Sequence, residues 1–470
     1  MSRAALGGWG AALVLCTSLV ACGPTQERAA RRPPNVIVWL VDTLRADHLS
    51  CYGYERDTSP QLDALAAQGV LFENAHVNSN WTQPSVVSLL SGRAPPIFES
   101  DYSSTIPEGL TLLPEWLRFH GWRTAGFTIT AATASHFGFD KGFGEYVELD
   151  ADLDFTVRTR RSGPEFDADR VVAAALDWID TRAAAPFFLS LHSVDPHAPY
   201  EAHVGEVAYT DPTYAGPQDG SLTQLDAAFE ERRGFSAADR RQLIDLYDGE
   251  IRYSDTQLGA LVAGLRARDL FDNTLLVVVS DHGEEFWDHR THGHGHRNLH
   301  AELTHVPLVM SWPDGLPAGL RVPGLMRGID LTPTLVHALG LPALPDAEGE
   351  SVLLRARAGQ GLASRRALLF ADRAKREHGL LAVRSDDLLL HADPERATEL
   401  FDLEADPAAQ HDLGAERPAE LERFSDTLHT WRDGRDARRA ALELGRASVE
   451  LDEAQAASLR AMGYLGEDDG

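Results

Sequence analysis

The sequence predicts an α/β fold, a mainly parallel sheet sandwiched by helices, with a smaller α+β subdomain at its C-terminal end. Three apolar runs, PNVIVWLVD, APFFLSLHSVD and DNTLLVVVSD, lack the polar alternation of a half-exposed strand, which marks strands buried on both faces. They close on Asp42, Asp195 and Asp281. Those positions lie where open α/β sheets bind their ligands, beyond the carboxyl ends of the strands. Between the runs lie helix-like stretches at Gln61–Gln68, Thr111–His120, Asp167–Arg182 and Ala238–Arg268. Buried strands alternating with helices imply the layered sandwich.

The elements follow in chain order. Arg3 and the apolar run Ala11–Ala21 form the n-region and h-region of an export signal, too short for a permanent span. LVAC, ending at Cys22, resembles a bacterial lipoprotein box. Residues 1–21 are then a signal peptide, Cys22 carries lipid, and the protein is exported and lipid-anchored to the bacterial cell envelope, at the outer membrane or periplasmic face. The plainer alternative is an ordinary signal cleaved nearby. Cys16 would be removed and Cys22 consumed, so Cys51 alone remains and no intramolecular disulfide forms. Residues 22–34, largely GPTQERAARRPP, suit a tether.

A catalytic domain is expected over 35–343, with polar surface insertions at Asp150–Pro164 and Val204–Gly234. From Leu344 the texture shortens to RALLFA, LLAVRS and DLLLHA, then the polar turn DLEADPAAQHDL and a helix near Pro418–Trp431. This gives the α+β subdomain over 344–440. Residues 441–470 read as an acidic tail with a frayed GEDDG end.

A chain of 470 residues with 43% hydrophobic content can bury a large core. Its formal net charge of −28 argues against a nucleic-acid or anionic-membrane surface. An anionic substrate must therefore be captured locally, and a bound metal does that economically.

Asp42 in VDTLRADHL would, taken alone, be read as a helix cap. SDHGE changes that reading: Asp281 and His282 offer a hard oxygen and an imidazole nitrogen on one turn, as a divalent-cation site needs. A turn aspartate beside a surface histidine is the plain reading of SDHGE, but it leaves two strand-end carboxylates facing each other without compensation. In NWTQPSVVSLLSG, Pro84 suits a first helical turn and Gly92 a helix stop, which puts Thr82 at the N-terminal end where exposed N–H groups favour anions. Thr82 is then either a cap or a nucleophile, and a neutral hydroxyl needs a metal or a base to become one. In HSVDPHAPY, His197 would donate a proton or bind an anion, the alternative being a turn stabilised by Asp195 with His197 on the surface. The loop HRTHGHGHRNLH brings His289, His292, His294, His296 and His300, of which one or two are expected in the site and the others in solvent.

Six pieces in order, NVIVWLVDTLRADHLSCYGY, TQPSVVSLLSG, PFFLSLHSVDPHAPY, SDHGEEFWDH, HVPLV and ELFDLEADPAAQHDL, resemble the sulfatases of the alkaline phosphatase superfamily. The resemblance implies a hydrolase of sulfate or phosphate esters acting on a small-molecule or glycan or lipid ester. It implies one catalytic divalent metal, Ca, Mg, Mn or Zn, and a second is compatible with it. Carried over, Asp42, Asp281 and His282 are metal ligands, Thr82 the nucleophile touching the metal, His197 a substrate-contacting acid, and His294 or His296 the later substrate-binding histidine. The chain departs from the family where sulfatases usually carry cysteine or serine, oxidised to formylglycine, with arginine four residues on; here stand Thr82 and Val86. Threonine cannot give that aldehyde, so the resemblance implies direct attack by Thr82, as in related phosphodiesterases and phosphoglycerol transferases.

Three rivals remain at this level. One is a transferase, whose relatives usually carry several membrane spans that this sequence does not show. Another is an inactive surface-binding lipoprotein, expected to have lost one of the three ligands. The last is a two-metal phosphodiesterase with Asp195, His197 and His296 on the second ion.

Overall fold

The computed structural model describes residues 1, 32–95, 102–149, 168–182, 186–201, 203, 209–230, 235–295, 298–371, 379–393, 396–441, 445 and 447–461. The expected signal peptide with its lipoprotein box at Cys22, most of the tether, the first insertion, His296 and the GEDDG end lie outside the described residues. Among the described residues no helix is long and apolar enough to cross a membrane.

The strands in chain order are β1 (Asn35–Val41), β2 (Val70–His76), β3 (Arg123–Thr128), β4 (Glu145–Glu148), β5 (Phe187–Ser193), β6 (Thr274–Ser280), β7 (Glu285–Phe286), β8 (His292–Gly293), β9 (Leu308–Ser311) and β10 (Leu320–Arg327). Every residue of β1, β5 and β6 is buried, as their unbroken apolar runs require. Eight strands form one sheet in the order β10-β2-β9-β6-β1-β5-β3-β4. All neighbours are parallel except β9, which runs antiparallel to β2 and to β6. The connection from β6 to β9 starts at the carboxyl end of β6 without crossing the sheet. It therefore re-enters from the same edge and reverses the strand.

Register sets the site. Val41, the last residue of β1, pairs with Ser193 of β5 on one side and Ser280 of β6 on the other. Three strands end level, so Asp42 and Asp281 leave the sheet side by side and Asp195 follows two residues beyond β5.

The expected helices are found at Pro60–Ala67, Leu113–Phe119, Ala168–Arg182 and Ala237–Ala267. The last starts with Ser236 and Asp239 bonding each other's backbone N–H, both at 3.1 Å. Pro60–Ala67 and Ala168–Arg182 pack on it, while Thr82–Ser91 packs with Leu113–Phe119 and Leu331–Ala338, so two groups of helices flank the sheet. The second insertion is not wholly irregular, because Leu222–Glu230 is helical.

Past the large sheet, β11 (Ala367–Ala371), β12 (Leu380–Arg384), β13 (Leu388–Ala392) and β14 (Glu399–Asp402) form an antiparallel meander. Its side chains alternate as a two-residue period demands. Leu388 and Leu390 pack with Phe424 and Leu428 of helix Pro418–Ala441, whereas Leu389 joins Leu299 and Leu325 toward the catalytic part. The final segment does not simply trail away. Ser448 bridges to Ser104, Val449 N–H bonds Ser103 O at 2.8 Å, and helix Glu453–Ala461 buries Leu459 completely.

Candidate active site and metal centre

Asp42, Asp281 and His282 come together as the two strand-end aspartates and the glycine-flanked turn suggested. Their ligand atoms lie within 4.8 Å of one another and all three side chains are fully buried. Asp281 Oδ1 accepts the N–H groups of His282 at 2.9 Å and Thr43 at 3.3 Å, while buried Oδ2 has no hydrogen-bond partner. His282 Nδ1 lies 3.0 Å from Gly283 O and donates to it, which leaves the Nε2 lone pair facing Asp42 Oδ1 at 3.5 Å and Asp281 Oδ2 at 3.6 Å. Two carboxylates at this separation repel by roughly 3–4 kcal/mol at an effective dielectric of about 20. An imidazole lone pair aimed at them adds to the repulsion. One divalent cation compensates all three groups, and the spacings are those of neighbouring ligands around a single ion. The residues present fit the metal that the resemblance implies.

The turns that carry these ligands are locked from outside. Thr43 has φ +56°, a region in which a β-branched residue is strained by about 1–3 kcal/mol. Buried Tyr247 holds it there: its hydroxyl donates to Thr43 O at 2.7 Å and accepts Arg45 N–H at 2.9 Å. Arg45 in turn donates to Glu284 O at 3.0 Å and to Asp288 at 3.2 Å, fastening VDTLR to SDHGEE. Gly283 is required by close approach, because a Cβ there would overlap the carbonyl of Glu302.

Thr82 is the first residue of helix Thr82–Ser91, with Trp81 at the cap and Gly92 (φ +70°) as the stop. Its side chain caps nothing. Instead Thr82 Oγ1 lies 3.2 Å from His282 Nε2, fully buried at the edge of the ligand group. Ser85, one turn on, donates to Asp281 O and ties the helix to the SDHGE turn. The entry strand is held by Gly295 N–H on Asn80 O at 2.9 Å and by Asn78 and Ser79 bonding Leu368 O and Phe370 O. Val86, where sulfatases usually carry arginine, is 2% exposed and lines a small cavity whose wall mixes Leu40, Leu90 and Phe127 with Thr133, Ser190 and His192.

Two further imidazoles continue from His282. His294 lies tilted against His282, with ring centroids 4.4 Å apart, and meets His197 edge to face at 4.9 Å. His294 Nδ1 is 3.1 Å from Glu284 Oε1, and Tyr200 hydroxyl donates to Glu284 Oε2 at 3.0 Å. Glu284 therefore orients His294; its burial raises its pKa above the usual carboxylate range. His197 Nδ1 donates to Ala198 O at 2.5 Å. Burial, with His294 nearby, pushes the His197 pKa down to about 3, so its ring is neutral in the free site.

His294 is thus the loop histidine that reaches the site; His296 lies outside the described residues. The other loop histidines are not all in solvent. His289 and His300 stack at 3.6 Å, and His300 is buried against His391 of β13, because the C-terminal sheet covers them. Asp195 does not join the Asp42 group; its carboxylate lies with His203 and Glu250. Glu284, Tyr247 and Arg45 were not marked by the sequence reading. The only signal for Glu284 was its place in SDHGE.

Comparison with known proteins agrees with this geometry. The family model described as Sulfatase matches residues 34–341. The chain is 23% identical over 402 residues to a sulfatase of Formosa agariphila, covering 74% of this chain and 78% of that protein. It is 24% identical over 383 residues to arylsulfatase K of Homo sapiens, covering 73% and 70% respectively. Among solved structures, phosphonate monoester hydrolase of Agrobacterium radiobacter superposes with a TM-score of 0.69 at 20% identity, over 86% of this chain and 96% of that one. A protein in complex with its substrate D-glucosamine-2-N,6-O-disulfate superposes with a TM-score of 0.70 at 17% identity, over 87% and 99%. At such identities the structural likeness shows the fold alone.

Proposed function

The chain belongs to the sulfatase family, and from that premise we propose a divalent-cation-dependent hydrolase of sulfate or phosphate esters that works through a covalent Thr82 intermediate. The observation that carries this reading is the 3.2 Å contact of Thr82 Oγ1 with His282 Nε2, beside two buried carboxylates at a helix start. Asp42, Asp281 and His282 would hold the cation, which when bound lowers the pKa of a nearby hydroxyl and neutralises charge on the transferred group.

The chain's own residues do the rest. Thr82 gives its hydroxyl proton to solvent, its oxygen attacks sulfur or phosphorus, the bond to the alcohol oxygen breaks, and the group rests on Thr82 as an ester until water takes the group and returns a proton to the threonine oxygen. The first-turn N–H groups of the helix favour the anion. His197 is neutral while the site is empty, and an arriving anion favours its imidazolium, so Nε2 takes up the proton that the leaving oxygen needs. His294, held by Glu284, presents its other nitrogen to the same anion. Relatives in this fold include a phosphonate monoester hydrolase and a protein whose substrate is a sulfated glucosamine. A glycan or small-molecule ester is accordingly the substrate class.

The reading is tested by assaying one sample on nitrophenyl sulfate, phosphate monoester, phosphodiester and phosphonate ester. Turnover of at least one ester should stop on chelation and return with a divalent cation. No turnover of any ester at full metal loading would favour the inactive surface-binding lipoprotein. His197→Ala should cost about 10²- to 10⁴-fold on alkyl esters and far less on nitrophenyl esters, because only an alkoxide needs a proton as it leaves. Equal losses on both would make His197 an anion-binding group.

Export and lipid anchoring through Cys22 belong to the same proposal, supported by LVAC at the end of the apolar run. The mature protein should partition with membranes, and Cys22→Ala should release it or block its processing. A wild type found wholly soluble after export would remove the anchor from the proposal.

A further inference from the structure

Among the described residues a second group of metal-ligating side chains stands apart from Asp42, Asp281 and His282. Asp195 lies beyond β5, His203 in the segment that follows, and Glu250 in the middle of helix Ala237–Ala267. One ligand atom from each lies within 4.8 Å of the other two. Asp195 and Glu250 are fully buried, and the His203 side chain is 11% exposed.

The three groups are held in place from several directions. Asp195 Oδ2 accepts Ala168 N–H at 2.9 Å, at the start of helix Ala168–Arg182. Glu250 Oε1 accepts Glu201 N–H at 2.6 Å, which fixes the plane of that carboxylate. His203 lies face to face on Tyr253, with ring centroids 3.8 Å apart and planes 5° apart, and its Nε2 is 2.7 Å from Glu250 Oε2. Glu250 and Tyr253, three apart on one helix, share a face and grip the imidazole from two sides.

We propose that Asp195, His203 and Glu250 form a second divalent-cation site, of the zinc or manganese class, which ties the segment carrying His197 to the long helix. Two carboxylates and one imidazole are a donor set for Zn²⁺ or Mn²⁺; Ca²⁺ prefers oxygen throughout. His197 lies between Asp195 and His203 in the chain, so an ion on these residues fixes the stretch that carries its ring against His294. The inference does not depend on the esterase reading, because none of the three residues is assigned to the chemistry. The competing explanation is an ion pair between His203 and Glu250 alone.

Metal content decides between them. The full chain is dialysed to equilibrium against zinc chloride or manganese(II) chloride, and bound ions are counted by mass spectrometry. Wild type should hold two ions per chain, Glu250→Gln and His203→Gln one each, Asp281→Ala one, and Asp281→Ala with His203→Gln none. If Glu250→Gln does not fold, His203→Gln carries the test, since it alters a partly exposed side chain. Two ions retained in His203→Gln, or a single wild-type ion that Asp281→Ala removes, would leave only the ion pair and overturn the proposal. A wild type whose one ion is lost in His203→Gln and kept in Asp281→Ala would support this site while overturning the catalytic metal.

Discussion

Asp281→Asn should lower kcat/KM by about 10³-fold or more and lower the cation content, with the fold intact. A cation at a transferring group supplies several kcal/mol of charge stabilisation, and each 1.4 kcal/mol is about tenfold in rate. The asparagine variant is the cleaner test. Asp281 Oδ1 accepts the N–H groups of Thr43 and His282, and leaving such buried donors unsatisfied costs about 1–3 kcal/mol each. The amide oxygen of asparagine keeps both bonds while removing the charge. Asp281→Ala should lose the same activity and in addition melt at lower temperature, because strained Thr43 loses one of its restraints. Cation stoichiometry and a thermal melt on the same samples check this. Full activity in a cation-free Asp281→Asn would end the mechanism proposed here.

The clustering of Asp42, Asp281 and His282 was legible in the sequence because the information lay in local pattern. Runs such as NTLLVVVSD announce a strand with two buried faces, and the residue that ends such a strand must sit at the binding edge. The place of Thr82 at a helix start was legible for a similar reason, since Pro84 suits a first turn and Gly92 a stop. What escaped depends on contacts between distant parts of the chain. The direction of β9 is set by where the 281–307 excursion re-enters the sheet, not by the composition of LVMS. Tyr247 lies mid-helix among other buried positions, and only its distance to Thr43 O, 204 residues away in the chain, reveals that it supports the turn after Asp42. Glu284 reads as a polar turn residue until His294 and Tyr200 are found on its two oxygens. Helix Glu453–Ala461 was hidden in an acidic stretch, because one buried leucine among polar neighbours is too weak a signal.

Thr82→Ala should abolish turnover while leaving the melting temperature almost unchanged. A threonine serving as a helix cap would lose about 0.5–2 kcal/mol on truncation and leave chemistry untouched. Thr82 is not in that role: Trp81 occupies the cap position and the threonine side chain makes no capping bond. Its oxygen faces His282 Nε2 instead, so the side chain contributes little to the helix and everything to a nucleophilic mechanism. Thr82→Ser keeps the hydroxyl and should retain part of the activity, reduced because a serine without the branched methyl has more freedom about χ1. Thr82→Cys is the sharper comparison. It restores the cysteine two residues before Pro84, yet the arginine position is held by buried, uncharged Val86, and efficient sulfatase activity should not appear. The direct measurement is peptide mass spectrometry after rapid quenching with a good substrate, which should find the sulfuryl or phosphoryl group on Thr82. A group found on another residue, or wild-type turnover by Thr82→Ala, would assign the attack to a different oxygen and leave Thr82 as a buried neighbour of His282.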